Sequence, residues 1–200
     1  MNLHSLFPIP VGMIELDRSL SKKEMLFFNT LDTRPNSGNT TSRDNNILNN
    51  STLTKLRSWI EDQLQEFFLS VFNPKNSVSL KITQSWVNYS TPGQFHHKHA
   101  HPNSFISGVF YIQTNPQDKI FFSREEYQQI KILPKNWNIW NSDSWWYEAI
   151  QGRLILFPSS LTHMVPRVEG NETRISLSFN TFPIGLLGEE AELTELKLEA

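Results

Sequence analysis

Two hundred residues with 18 Lys+Arg against 20 Asp+Glu suit a single domain with a sizeable core. A net charge of −2 without any block of like charge argues against nucleic-acid binding by charge. The chain has no cysteine, which excludes disulfides and thiolate metal sites and leaves only nitrogen and oxygen donors for a metal.

The opening MNLHSLFPIPVGMIEL lacks the basic start and unbroken apolar core of a signal peptide, and no later run reaches membrane-spanning length. The expectation is a cytoplasmic protein without membrane contact. Residues 8–16 read as a strand. Residues 19–31 carry Leu20, Met25, Leu26 and Leu31 among charged residues and read as a helix lying on something larger. Residues 33–50 are dense in Asn, Ser, Thr and Gly, a turn-forming composition that predicts a connector or surface flap. Between 51 and 72, Leu53, Leu56, Ile60, Leu64, Phe67, Phe68 and Phe72 fall at helical spacing, and Asn73-Pro74 ends that helix.

Beyond Val78 the pattern turns to short stretches rich in Val, Ile, Phe and Tyr, predicting strands at 80–89, 104–114, 152–157 and 173–182. No helix-length stretch alternates with them, so an antiparallel sandwich or barrel is expected in place of parallel α/β winding. Residues 115–150 contain Trp137, Trp140, Trp145 and Trp146 without clear period and read as a long loop over a pocket. The acidic tail, 188–200, reads as a short helix or a frayed end. The expected class is mainly β with flanking helices. A helical packing region, 1–77, and a β core, 78–185, make up one domain over 1–200.

Five of the six histidines lie in two places, FHHKHAHPNS (His96, His97, His99, His101) and FPSSLTHMV (His163). In an extended chain His97, His99 and His101 share one face. Either H-x-H pair therefore offers two imidazoles to one point, and a third from a distant strand completes one face of an octahedron with three positions left open.

The stretches WVNYSTPGQFHHKHAHPNSFISGVFYI and GRLILFPSSLTHMVPRVEGNETRISLSFNTF resemble the 2-oxoglutarate/Fe(II) oxygenase superfamily, in particular a small branch with an H-x-H-P, S-G-V-x-Y and L-F-P-S-x-L-x-H pattern. The resemblance covers residues 84–182 strongly and the N-terminal half more loosely. It implies a double-stranded β-helix, a jelly roll of the cupin kind, with His99, His101 and His163 as metal ligands and His97 beside them on the substrate side. One departure stands out: His101 occupies the place where the superfamily mostly has a carboxylate. Three neutral imidazoles then leave one more positive charge at the metal.

Arg174, 11 positions after His163, stands where the superfamily usually places its cosubstrate-binding basic residue. The resemblance adds Ser176, Asn88 and Tyr111 as further cosubstrate contacts. Arg174, Ser176, Ser178 and Asn180 alternate with Ile175, Leu177 and Phe179. A guanidinium on a barrel's inner face calls for an anion held through paired hydrogen bonds, whereas solvent alone accounts for Ser178 and Asn180.

The implied activity is a dioxygenase that decarboxylates 2-oxoglutarate to succinate and hydroxylates an unactivated C–H. Its cofactors would be Fe(II), 2-oxoglutarate and O2, with ascorbate a compatible addition. The substrate stays open among a protein side chain such as proline, an amino acid and a small metabolite, and the Trp-rich segment is the expected lid. A homodimer is compatible with this reading. Two other readings remain: a three-histidine zinc hydrolase or hydratase with an open water position, and a jelly-roll binding module without turnover.

Overall fold

The computed structural model describes residues 1–125 and 130–199. In chain order it runs through β1 (Gly12–Glu15), α1 (Lys22–Asn29), β2 (Thr33–Asn36), β3 (Asn39–Ser42), α2 (Thr54–Phe72) and β4 (Val78–Ser90). There follow β5 (His96–His99), β6 (Ile106–Gln113), β7 (Lys119–Ser123), β8 (Ser144–Glu148), β9 (Arg153–Pro158), β10 (His163–Val165), β11 (Arg174–Leu187) and β12 (Leu196–Leu198).

The strands form two antiparallel sheets, a jelly-roll arrangement. The larger has the order β1-β9-β6-β11-β4-β3-β2 with β12 added on β11, and the smaller has the order β5-β10-β7-β8. Non-consecutive neighbours, β9-β6-β11-β4, fill the middle of the large sheet.

The large sheet is buried on both faces. Its outer face sends Ile106, Phe110, Ile112, Leu154, Leu156, Ile175, Leu177 and Phe179 into one core with Leu56, Ile60 and Leu64 of α2. The helical stripe read from the sequence is this seam: Leu56, Ile60, Leu64 and Phe68 are its buried residues, each worth about 1.5–3 kcal/mol of transfer free energy. Asn73 closes α2 in the left-handed conformation. Gly108 is required here by packing. A Cβ on it would come 2.2 Å from Cζ of Phe179, so the phenyl ring lies directly on its backbone. The inner face sends Val109, Tyr111, Ile155 and Phe157 against Ile120 and Phe122 of the small sheet.

Three expectations change. Residues 33–50 are not a flap: β2 and β3 form a hairpin that extends the large sheet beside β4, with Thr41 opposite Asn88. Gly38 turns the hairpin at φ +85°, where a Cβ would come 2.7 Å from the Phe95 carbonyl oxygen. The polar composition tolerates burial because it is bonded: Thr41 donates to the Val87 carbonyl and Val87 N–H donates to Ser42 Oγ.

Residues 115–150 are not one long loop either, since β7 and β8 pair within them, setting Phe121 opposite Trp146 and Phe122 opposite Trp145; residues 126–129 lie outside the described residues. In the tail, residues 190–192 form the expected short helix, a 3-10 turn, but residues 196–198 pair with β11 as β12, and residue 200 lies outside the described residues. No described helix is long and apolar enough to cross a membrane.

Candidate metal centre

The small sheet brings the histidines together. β10 pairs with β5 so that His163 faces His99, but Val165 faces His96. Between these pairs the single Met164 of β10 opposes two residues of β5, His97 and Lys98, a bulge that inserts one extra residue and reverses the facing beyond it. His97 is exposed, its ring centroid 5.0 Å from that of His99, whereas His96 is half-buried. His99, His101 and His163 each place a ring nitrogen within 4.8 Å of the others. The alternative H-x-H pair, His97 and His99, is not the one assembled.

Each of the three rings is oriented through Nδ1. His99 Nδ1 lies 2.7 Å from the His97 carbonyl, and His163 Nδ1 lies 3.0 Å from the Leu161 carbonyl. A carbonyl only accepts, so these nitrogens carry the proton and Nε2 keeps its lone pair. His101 Nδ1 sits 2.6 Å from Asn180 Oδ1, which also accepts from Ser107 Oγ, while Ser159 Oγ lies 2.8 Å from Ser107 Oγ. Asn180 is thus part of the site and not a solvent-facing residue, a role the alternation of the strand could not separate from ordinary surface polarity. Holding a ring through its second nitrogen is how metal-ligating histidines are commonly fixed.

Burial keeps the rings neutral. It pushes His163 down to about 3, with the Leu161 carbonyl opposing and His99, His101 and His96 reinforcing. It also lowers His99 and His101, with hydrogen bonds to His97 and Asn180 respectively opposing. Nε2 of His99 and Nε2 of His101 lie only 3.1 Å apart. A divalent cation fits that arrangement, and neutral imidazoles are the form that binds it. His96 was not singled out by the sequence. It stacks on His99 at 4.5 Å between ring centroids, and burial brings it down to about 3, assisted by His99, His97, Arg174 and His101.

The other nominated residues lie together on the inner face of the large sheet. Ser176 of β11 is opposite Asn88 of β4 on one side and Tyr111 of β6 on the other, so three residues remote in sequence form one row. Arg174, two positions along on the same face, is 3% exposed and its guanidinium lies 5.2 Å from the centre of the Tyr111 ring. Among the described residues, the buried side-chain atoms without a hydrogen-bond partner are Asn39 Nδ2, Asn88 Oδ1, Tyr111 Oη and Arg174 Nε. Such orphans each cost about 1–3 kcal/mol if nothing meets them.

Three of the four belong to residues named for an anionic cosubstrate. Two of these atoms, on Tyr111 and Arg174, are donors. Asn88 becomes a donor too if its amide is turned over, because Ser178 Oγ, its partner at 3.3 Å, can donate as readily as accept. Burial raises the Tyr111 phenol, with Arg174 opposing through its charge and a long hydrogen-bonding approach that falls short of a bond in geometry, so the hydroxyl keeps its proton for donation.

A pocket of about 710 Å³ opens beside the histidines, lined by Arg34, Asn36, Gln84, Trp86, His99 and His101 among others. A larger groove of about 1350 Å³ runs between the N-terminal segment and β7–β8 and includes Trp140 and Trp145, but none of the three histidines. Of the tryptophans expected as a lid over the site, Trp140 and Trp145 line that groove, and Trp86 is the one at the histidines.

Residues 84–180 match the model of a family described as putative 2OG-Fe(II) oxygenase. No curated protein matches in sequence. Among solved structures, an oxidoreductase of the 2OG-Fe(II) oxygenase family from Burkholderia pseudomallei is similar at TM-score 0.57 and 16% identity, over 85% of this chain and 84% of that one. HygX from Streptomyces hygroscopicus, with nickel and 2-oxoglutarate bound, is similar at TM-score 0.61 and 12% identity, over 86% of this chain and 82% of that one. A Pseudomonas putida prolyl-4-hydroxylase is similar at 0.54 and 12%, over 87% and 94%. At these identities the likeness is one of fold. The family match spans the stretch from Gln84 to Asn180 in which the three clustered histidines and the unpartnered buried atoms of Asn88, Tyr111 and Arg174 lie, and over that stretch the chain is similar to 2-oxoglutarate/Fe(II)-dependent oxygenases.

Proposed function

We propose that the chain acts as one oxygenase domain that hydroxylates an unactivated C–H of a small molecule or protein side chain, with His99, His101 and His163 holding Fe(II) and with Arg174, Ser176, Asn88 and Tyr111 holding 2-oxoglutarate. The observation that carries it is the coincidence, inside one barrel, of three clustered imidazole nitrogens placed to hold a cation with buried unpartnered donors on Arg174 and Tyr111 placed to hold an anion. When bound, iron and 2-oxoglutarate supply the oxidising power drawn from O2, the cosubstrate leaving as succinate and CO2.

The protein's own part is positioning and shelter. The Arg174 fork takes the far carboxylate of the cosubstrate through paired hydrogen bonds, with the Tyr111 hydroxyl and Ser176 beside it. Asn180 and the carbonyls of His97 and Leu161 hold the imidazoles in place. Phe157, whose ring centroid lies 4.8 Å from that of His163, keeps water from that flank. A zinc hydrolase would use the same three histidines but would leave the orphaned donors without a purpose.

The test is an anaerobic titration of the iron-loaded protein with 2-oxoglutarate, read by the weak visible charge-transfer band of the chelate. The band is expected to saturate, and admission of oxygen to release succinate. Iron binding without the band would refute the cosubstrate assignment; the band without succinate would leave a binding module.

A further inference from the structure

The fourth orphaned atom, Asn39 Nδ2, belongs to none of the roles above. Asn39 is 5% exposed, and its Oδ1 accepts from Asn36 Nδ2 at 3.0 Å, while its N–H2 has no partner. The register shows which wall it stands on. In the hairpin Asn36 is opposite Asn39 and Arg34 opposite Thr41, while Thr41 is opposite Asn88 of β4. Residues directly opposite, and residues two apart, share a face. Arg34, Asn36, Asn39 and Thr41 therefore continue the inner face of the large sheet past Asn88, and Arg34, Asn36 and Thr41 line the pocket beside His99 and His101.

The charge of that wall is one-sided. Arg34 is the only Lys, Arg, Asp or Glu lining the pocket among the described residues, and it enters none of their ion pairs. Substituting His101 for a carboxylate ligand adds to the imbalance. A divalent metal, a dianionic cosubstrate and the Arg174 cation leave one net positive charge, and Arg34 makes it two. An acceptor-rich anion is what a buried N–H2 and an unpaired guanidinium on one face would bind.

We infer that the inner face of the β2–β3 hairpin, through Arg34 and Asn39, is the substrate-reading wall of this enzyme, and that the substrate carries a carboxylate seated on it. This rests on the oxygenase reading above and names the substrate class for the same site. The carboxylate is bound at the hairpin, and the carbon to be oxidised extends from it toward the histidines.

The experiment compares two probes of one shape and different charge, N-acetyl-L-aspartate α-amide and N-acetyl-L-asparagine amide, on protein loaded without oxygen with Zn(II) and saturating 2-oxoglutarate. Dissociation constants are read by ligand-observed NMR. The acid is expected to bind about tenfold or more tighter than the amide, as for one charge-assisted contact. Arg34→Gln should bring the two within a few-fold, and Asn39→Ala should weaken the acid while sparing the amide. Because Arg34 is exposed, Arg34→Gln keeps the test valid if Asn39→Ala fails to fold. Equal affinities in wild type, an unchanged ratio in Arg34→Gln, or no binding of the acid at millimolar concentration would overturn the inference. A parallel iron-loaded wild-type sample separates the two failures. If the 2-oxoglutarate charge-transfer band is absent, the oxygenase reading has failed; if it is present without acid preference, only the substrate class is wrong.

Discussion

On β11, Ile175, Leu177 and Phe179 turn toward α2 while Arg174, Ser176, Ser178 and Asn180 turn toward the small sheet, and none of the seven is more than 9% exposed. Burial alone does not distinguish the two faces. What does is completeness. The outer face is filled by apolar contacts with α2 and β6, whereas the inner rows on β3, β4, β6 and β11 hold all the orphaned side-chain atoms found among the described residues. A buried polar face left unfinished is what a binding site looks like without its ligand, and the contrast predicts that substitutions on the two faces will separate stability from binding.

The sharpest break of the comparison is at the metal. His163→Ala removes a nitrogen from the inner cluster and is expected to lower iron affinity by more than about 100-fold, since even loss of an orienting partner commonly costs 10–100-fold. His97→Ala, on the exposed side of the bulge, should retain full occupancy. Iron content after anaerobic loading and dialysis measures both. Retention in His163→Ala with loss in His97→Ala would reverse the assignment.

Phe179→Ala tests the outer face. Its ring covers Gly108 and packs in the α2 core, so truncation should cost about 3–5 kcal/mol in chemical denaturation. The 2-oxoglutarate affinity of the fraction that stays folded should barely change. A large loss of cosubstrate affinity at unchanged stability would mean that the two faces are not independent.

Arg174→Ala is the converse experiment on the same strand. Removing one partner of a buried charge pair should weaken 2-oxoglutarate binding by about 2–5 kcal/mol, with iron content intact. Lysine should restore part of it, because it keeps the charge and loses the planar fork. Titration of the three proteins without oxygen checks this, and equal affinities would remove Arg174 from the cosubstrate site.

The smallest effect near neutrality concerns pH. His163 and His96 are held at about 3 in the fold against about 6.5 in an unfolded chain. Below that upper value the unfolded state takes up protons that the native state does not, so metal-free protein should lose stability as pH falls from about 6.5 toward 3. Above about 7 these two groups should contribute no slope. Urea midpoints measured at successive pH values in wild type and His163→Ala should show a shallower acid slope in the variant. Parallel slopes would exclude a contribution from His163.

Much of this was legible along the chain because the signals are local or periodic. The apolar spacing of residues 51–72 marks a helix, the alternation in 173–182 marks a two-faced strand, and the ordered run of H-x-H, a distal histidine and a following arginine carries the family resemblance. From these, His99, His101, His163, Arg174, Ser176, Asn88 and Tyr111 could each be named as candidates. Periodicity was silent where the partner strand decides. The Asn- and Thr-rich residues 33–42 gain strand structure only by pairing with β4 and bonding its backbone at Val87, and residues 119–123 and 144–148 gain theirs only by pairing with each other.

By itself the sequence determined the fold class and the helical stripe of the outer core and named candidates for the site, because side-chain size, period and motif order are properties of one chain segment at a time. The tertiary structure alone decided which histidines meet, since the bulge opposite β10 turns His97 out and His96 in. It also decided that Asn180 orients His101 and that Asn39 ends on the same wall as Arg34. Facing and register are set by hydrogen bonds between strands far apart in sequence, and a single inserted residue on one of them reverses every side chain beyond it.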